Sequence, residues 1–209
     1  MSGPGLRRGN RDFSQRLRVA GLILVGLLVL AGCASEDGLP GGGGSTEAPD
    51  LPDLTDCPAP TGQPAVGEQT LPELSLACLD EDGGVLTIGQ APGVAMVLNL
   101  WASWCGPCRE ELPYFDELSA AADPGQLLVA GVVTRDSPGL AAELAVDLGI
   151  GFPSGVDENG DLYVDQGLRG LPGTFFVNAD GSIAHAELAP ITSYDDLLAL
   201  VQDHLGVTV

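Results

Sequence analysis

The sequence predicts an α/β domain in which strands and helices alternate around one central sheet. Three observations lead to this prediction. A nearly uninterrupted apolar run at 94–101 is typical of a strand that is buried on both faces, and a second such run covers 127–133. Between the two runs, apolar side chains recur at helical spacing at Leu112, Phe115 and Leu118.

The remaining elements follow from the same periodicities and from turn and capping residues. We expect a hairpin of strands at 74–79 and 85–88, helices at 107–122 and 140–148, a second hairpin at 174–177 and 183–188, and a final helix capped by Ser193.

The N-terminal segment has the pattern of an export signal. Five arginines precede 13 uncharged, mostly aliphatic residues at 19–31, and the segment ends in Leu-Ala-Gly-Cys33. The apolar run is shorter than the ~20 residues that span a bilayer. This pattern resembles the bacterial lipoprotein signal, which implies removal of residues 1–32 and lipid attachment at Cys33. The protein would then be extracytoplasmic and lipid-anchored to the cell membrane; ordinary secretion or an uncleaved anchor remain the alternatives.

Residues 33–56 have the composition of a flexible tether. Four glycines and Ser45 are followed by Pro49, Pro52 and several acidic residues, which disfavour packed structure. A coil of this length has a root-mean-square span of roughly 26 Å. We therefore predict one folded domain at 57–209.

The charge balance excludes some partners. The chain has 8 basic and 29 acidic residues, and after residue 32 its cations are Arg109, Arg135 and Arg169, with no lysine. Such a surface repels nucleic acid, so we expect no nucleic-acid partner, and it disfavours membrane binding through a basic patch. A general acidic bias without any functional target is the favoured explanation of the composition.

The segment Trp104-Cys105-Gly106-Pro107-Cys108 follows the first buried strand and opens a helix. A helix N-terminus stabilises a thiolate, and the thiolate is the species that attacks disulfides. The segment therefore favours thiol–disulfide exchange. Half of a zinc site is the alternative for an isolated C-x-x-C pattern.

Five cysteines can be assigned in an oxidising compartment. Cys33 is the lipid site, and Cys105 and Cys108 form the redox pair. Cys57 and Cys78 remain, and we predict a structural disulfide between them. A second redox centre that relays electrons is the alternative.

Two stretches, 99–113 and 170–176, resemble the thioredoxin superfamily and, more narrowly, its envelope TlpA/ResA-type thiol–disulfide oxidoreductases. The resemblance covers about residues 66–206. It implies a thioredoxin-like fold, with a central mixed sheet flanked by helices and an N-terminal β-hairpin. The 67 residues from Cys105 to Pro172 exceed the spacing in plain thioredoxin, which implies an inserted strand and helix within 138–168.

The resemblance also implies roles for single residues. Cys105 would be the exposed nucleophile, and Cys108, more buried, would resolve the mixed disulfide. Pro172 would follow a cis Leu171–Pro172 bond beside the cysteines, although trans is the commoner state of such bonds. Because proline has no N–H, an extended substrate could pair with the backbone there.

Two further positions carry information about proton transfer. Glu111 matches an acidic residue of the envelope relatives and could accept the proton of Cys108 if burial raises its pKa. A solvated glutamate in the first helical turn is the alternative. Asn99 stands where thioredoxin has a buried aspartate, and an amide cannot shuttle protons.

The predicted function is that of a membrane-anchored protein-disulfide oxidoreductase, with no cofactor beyond its cysteine pair and no metal. Its partners would be disulfide-bearing envelope proteins, with apocytochrome c in haem maturation as the client that the resemblance suggests. The Gly-Pro spacer favours a reductase, which needs an integral membrane electron donor. The alternatives are a copper-binding chaperone using His185, and a thiol peroxidase, for which Ala102 stands where threonine is required.

The remaining polar candidates are expected to carry no chemistry. His185 and His204 are far apart in sequence and are interpreted as separate surface or strand residues. The acidic stretch 157–161 is interpreted as a polar loop, because it lacks the spacing of a calcium-binding loop.

Overall fold

The structure is a computed structural model that describes residues 54–79 and 83–209. The predicted signal peptide at 1–32, the Cys33 lipid site and most of the tether lie outside the described residues. The last tether residues contact the domain, since Leu54 is buried and the Thr55 N–H donates to the Gly151 carbonyl over 2.7 Å. In the described part of the chain, no helix has the length and apolarity to cross a membrane.

One mixed sheet of seven strands is combined with four helices. The elements are β1 Leu74–Cys78, β2 Val85–Ile88, β3 Ala95–Trp101, α1 Gly106–Ala121, β4 Leu127–Thr134, α2 Pro138–Leu148, β5 Ser154–Asp157, α3 Asp161–Asp165, β6 Gly173–Val177, β7 Ile183–Glu187 and α4 Tyr194–Leu205. The strand order is β2-β1-β5-β4-β3-β6-β7. This architecture confirms the predicted thioredoxin-like fold. The segment 138–168, where one inserted strand and one helix are predicted, contains one strand and two helices: α2, β5 and α3.

The strand register brings three chain segments to one edge of the sheet. Strands β3, β4 and β5 are parallel, and Trp101 at the end of β3 pairs with Val133 near the end of β4. Strand β6 runs antiparallel to β3 and begins with Gly173 opposite Leu100. One edge of the sheet therefore brings together the segment after β3, the segment after β4 and the residues around the start of β6. We call it the redox edge and define it as residues 102–108, 135–136 and 171–173.

Strand β3 divides the core into two apolar clusters because its side chains alternate between the faces of the sheet. The first cluster contains Val97 and Trp101 together with Phe115 of α1. The second contains Leu98 and Leu100 on the opposite face. Residue 99 shares the first face, so β3 directs a polar side chain toward α1.

Two local predictions have different outcomes. The Ser193 hydroxyl accepts the Asp196 N–H over 3.1 Å, which confirms the predicted cap of α4. The interpretation of 157–161 as a polar loop is wrong at its first residue. Asp157 is buried, and its carboxylate accepts hydrogen bonds from the N–H groups of Asp161 and Leu162 over 2.8 and 3.0 Å. These bonds provide partners for the first free N–H groups of α3.

Candidate active site

The redox pair lies where β3 passes into α1. Cys105 is the N-cap of α1, and its sulfur accepts the Cys108 backbone N–H over 3.3 Å. Cys105 and Cys108 form a disulfide with a Cα–Cα distance of 5.3 Å. A sulfur at this position faces the free N–H groups and the positive end of the helix dipole, which stabilise a thiolate.

Both cysteines are buried in this disulfide form. Cys105 is 4% exposed and Cys108 is 0% exposed. The order of burial is as expected, but the prediction of an exposed Cys105 is wrong for the oxidised state. The bond to Cys108 holds its sulfur inward, against the first apolar cluster. Trp104, which directly precedes Cys105, is exposed, with 61% of its surface accessible.

A neighbouring segment holds the loop before Cys105 in place. The buried Asp136 carboxylate accepts the Ser103 N–H over 2.6 Å. The indole N–H of Trp104 donates to the Arg135 carbonyl over 3.1 Å. Arg135 has a φ of 54°, a left-handed conformation that is uncommon outside glycine. Sequence reasoning missed both residues, although each directly follows a buried strand and thus reaches the same edge as Cys105.

Pro172 lies at the redox edge through the β3–β6 register. The Leu171–Pro172 peptide bond is cis, the geometry that the family resemblance implies. Pro172 is buried, and the next residue, Gly173, opens β6. Pro172 contributes a backbone carbonyl but no N–H to this edge.

Glu111 lies in a buried hydrogen-bond network on the first face of the sheet. Its Oε1 accepts from Asn99 Nδ2 over 2.8 Å, and its Oε2 accepts from the Ile191 backbone N–H over 2.9 Å. Asn99 Nδ2 also donates to Thr174 Oγ1 over 3.1 Å. Glu111 is fully buried, so the alternative of a solvated first-turn glutamate is wrong.

Burial sets the protonation of this carboxyl group. Desolvation raises the pKa of Glu111 to about 7, against the opposing effect of hydrogen bonds from Ile191 and Asn99. The i, i+3 spacing from Cys108 places the two side chains on the same side of α1. A group with this pKa can gain and lose a proton near neutral pH, which suits general acid–base chemistry.

Sequence reasoning did not identify the partners of Glu111. A polar residue inside an apolar strand was a signal for Asn99. The sequence contains no comparable indication that Thr174 contacts this network. A backbone donor such as the Ile191 N–H cannot be identified from residue type.

The other two cysteines form a disulfide on the opposite face. Cys57 and Cys78 are bonded, with a Cα–Cα distance of 6.3 Å. Both pack with the second apolar cluster, and Cys78 is the last residue of β1.

The two histidines lie closer together than the sequence suggests. The rings of His185 and His204 stack with centroids 3.9 Å apart, and Phe176 lies against both. His185 Nε2 also lies 3.7 Å from Glu187 Oε2. Over 54–79 and 83–209, no group of three or more His, Cys, Asp or Glu side chains is arranged to hold a metal ion.

Comparison with known proteins agrees with this geometry. Residues 65–199 match the Redoxin family. A thiol:disulfide interchange protein DsbE homolog of Paracoccus denitrificans is 37% identical over 133 residues, which cover 63% of this chain and 67% of that protein. The thiol-disulfide oxidoreductase ResA of Oceanobacillus iheyensis is 30% identical over 116 residues, which cover 54% of this chain and 59% of the relative.

Among solved structures, a thiol:disulfide interchange protein of the thioredoxin family from Chlorobium tepidum matches 68% of this chain and 99% of its own, with a TM-score of 0.56 and 24% identity. This likeness concerns the fold. The sequence matches go further: the chain belongs to the Redoxin family and is a thiol–disulfide oxidoreductase of the thioredoxin superfamily.

Proposed function

We propose that the protein is an extracytoplasmic, lipid-anchored reductase of disulfides in envelope proteins, with residues 1–32 as its signal peptide, 33–56 as its tether and 57–209 as its catalytic domain. The observation that carries the catalytic part is the Cys105–Cys108 pair at the N-terminus of α1, with buried Glu111 one turn beyond Cys108. The proposal of a lipid anchor rests on the N-terminal segment, whose apolar run ends in Leu-Ala-Gly-Cys33.

The first step uses the reduced enzyme. The Cys105 thiolate, stabilised by the N-terminus of α1, attacks one sulfur of the client disulfide. The client S–S bond breaks, and an enzyme–client S–S bond forms in its place. The departing client sulfur takes up a proton and becomes a thiol.

The second step resolves this mixed disulfide. Cys108 passes its thiol proton to the Glu111 carboxylate and attacks Cys105 Sγ as a thiolate. The Cys105–Cys108 bond seen in the structure forms, and the second client sulfur leaves and is protonated. Two electrons have then moved from the enzyme to the client, and Glu111 later releases its proton.

The client segment binds at the redox edge. Pro172 offers a carbonyl without a competing N–H, which suits an extended backbone laid beside Cys105. Two exposed apolar side chains flank this position: Trp104 precedes Cys105, and Leu188 approaches Gly173. Apocytochrome c, whose haem-attachment cysteines must be reduced, is the client that the family resemblance suggests.

Turnover requires a source of electrons. Each cycle leaves Cys105 and Cys108 oxidised, and the Cys57–Cys78 disulfide packs with the apolar cluster on the other face of the sheet, so we assign it no part in the exchange. An integral membrane dithiol protein is the donor that a tethered enzyme can meet. No metal or organic cofactor is needed, because both electrons come from sulfur.

Client trapping tests the exchange reaction. Replacing Cys108→Ala in the full chain and expressing it in its native envelope removes the resolving thiol, so mixed disulfides on Cys105 should accumulate. The trapped proteins should carry cysteine pairs and be released by dithiothreitol. Cys105→Ala/Cys108→Ala is the control and should trap none; equal trapping by both variants would refute the assignment.

Two measurements test direction and location. Acid-quenched alkylation of cells should find the Cys105–Cys108 pair mostly reduced, and mostly oxidised after loss of the membrane donor; an oxidised resting pair contradicts the reductase direction. Cys33→Ala should abolish labelling by a palmitate analogue and release the protein from membranes. Unchanged labelling would exclude Cys33 as the lipid site.

A further inference from the structure

Asn99 makes an unusual set of contacts for a fully buried side chain. One atom, Nδ2, donates both to Glu111 Oε1 and to Thr174 Oγ1. The other, Oδ1, is buried and has no hydrogen-bond partner among the described residues. An unpaired buried acceptor costs free energy, so this orientation of the amide needs an explanation.

The orientation suits the ionised carboxyl group better than the neutral acid. An ionised Glu111 has acceptor oxygens alone, and the Asn99 NH₂ group donates to one of them. A proton on Oε1 would have no acceptor in this orientation, because the Asn99 atom that faces this oxygen is a donor. A proton on Oε2 would find no acceptor either, because the group that faces it is the Ile191 backbone N–H, which cannot turn away.

Rotation of the Asn99 amide by 180° resolves the conflict. Oδ1 would then face Oε1 and accept the Glu111 O–H. Thr174 can follow, because its hydroxyl accepts a hydrogen bond in one state and donates one in the other. The unpaired atom moves from Oδ1 to Nδ2, and no donor faces another donor.

We propose that Asn99 and Thr174 form a reversible hydrogen-bond pair that follows the proton on Glu111, donating to the carboxylate and, after amide rotation, accepting from the carboxylic acid. Both are positioning residues, since neither touches the reacting sulfurs. They keep the carboxyl group oriented one turn from Cys108 in both states. The inference rests on the proposed role of Glu111 as the acceptor of the Cys108 proton.

Glu111 and Cys108 are the buried titratable side chains of α1 and α4, and Cys105 caps α1. The other titratable side chains on these two helices are exposed or half-buried: Arg109, Glu110, Tyr114, Asp116, Glu117, Tyr194, Asp195, Asp196, Asp203 and His204. The cysteines do not titrate in the disulfide form. Desolvation, assisted by the charge of Glu117, raises the pKa of Tyr194 above its ordinary value of 10.0, so Tyr194 stays neutral at pH 7. An amide at position 99 adds no charge.

The first experiment uses the disulfide form of the protein, in which Glu111 titrates without the cysteines. Carbon-13 NMR of the Glu111 carboxyl gives its titration midpoint. Asn99→Ala removes a charge-assisted bond from the anion and a weaker neutral bond from the acid, so the midpoint should rise by about half a pH unit, a threefold change in proton affinity. An unchanged midpoint would overturn the proposal.

Direct observation of the amide remains decisive if Asn99→Ala fails to fold. In the wild-type protein, nuclear Overhauser contacts from the Asn99 Nδ2 protons to Thr174 should be present above the Glu111 midpoint and lost below it. Glu111→Gln should remove this pH dependence. Contacts that persist through the titration would refute the rotation.

Threonine variants provide a matched pair. Thr174→Ser keeps the hydroxyl and should preserve the pH-dependent contacts and the pH profile of mixed-disulfide resolution, whereas Thr174→Val should alter both. Identical behaviour of the two variants would exclude Thr174 from the pair. Because the NMR measurements need no client, their failure is distinguishable from failure of the proposed reductase activity, which client trapping tests.

Discussion

The molecule contains two disulfides in the same domain, and they lie in contrasting surroundings. Cys57–Cys78 links residues 21 apart in sequence and packs with the second apolar cluster. Cys105–Cys108 links residues three apart at the start of a helix, with a buried carboxyl group on the next turn. We therefore interpret the first disulfide as a structural crosslink and the second as the reactive group.

The surroundings account for the difference. A thiolate at Cys105 gains from the N–H groups and dipole of α1. In the proposed mechanism, Glu111 accepts the proton that leaves Cys108. Cys78 ends a strand, where no comparable dipole exists. We therefore attribute the difference in reactivity to the secondary structure that holds each sulfur, since Cys78 is buried like both members of the redox pair and Cys57 is half-buried.

The largest expected contrast is catalytic. Cys105→Ala removes the nucleophile and should lower insulin-reduction turnover by about a thousandfold or more. Cys57→Ala/Cys78→Ala should leave turnover within about threefold in the folded protein, because that bridge takes no part in exchange. A comparable loss in the double variant would mean that Cys57 and Cys78 relay electrons, the alternative that the cysteine count left open.

The stability contrast has the opposite direction. Closing a loop of about 22 residues restricts the unfolded chain by roughly 3 kcal/mol, and closing a four-residue loop by about 2 kcal/mol. Urea unfolding should therefore show the larger loss for Cys57→Ala/Cys78→Ala. Cys105→Ala/Cys108→Ala is the matched control, and a greater loss in that control would contradict this division.

The buried Glu111 carboxyl group should make the stability of the protein depend on pH. Burial raises the pKa of Glu111 from 4.5 to about 7, so the folded protein binds this proton more tightly than the unfolded chain. Stability from this group is fully present below about pH 4.5 and is lost as the pH rises through 7. Glu111→Gln does not titrate, so its stability relative to wild type should rise by about 3 kcal/mol between these limits.

Urea unfolding at pH 4.5 and pH 8 measures this effect. Glu110→Gln is the control, since Glu110 is the exposed neighbour on the same helix and should follow the wild type at both values. If Glu111→Gln tracks the wild type as well, the carboxyl group does not carry a raised pKa.

The sequence predicted what depends on near neighbours along the chain. Periodicity located the strands and helices, and the spacing from Cys105 to Cys108 indicated redox chemistry. The contacts that tune the site join distant positions: Ser103 to Asp136 across 33 residues, and Glu111 to Ile191 across 80. Such partners depend on strand register and on where a loop passes over α1, and neither is encoded in local composition.

For the same reason, the burial of Glu111 could not be decided beforehand. A glutamate near the start of a helix is equally compatible with an exposed position, as its neighbour Glu110 shows. Only the position of α1 over Asn99 and the Ile191 segment shows that this side chain is enclosed.

The smallest expected effect concerns the loop that carries the reactive pair. Asp136 accepts the Ser103 N–H with Oδ2 and the Ser137 N–H with Oδ1. Asp136→Asn keeps one acceptor but replaces a charged bond with a neutral one, which should cost about 1 kcal/mol. Amide exchange at Ser103 should accelerate about fivefold if local opening governs it. Ser137→Ala is the control, because it removes the N-cap of α2 at a similar cost in stability. It should leave amide exchange at Ser103 unchanged. Equal acceleration in both variants would show that Asp136 does not specifically anchor the loop before Cys105.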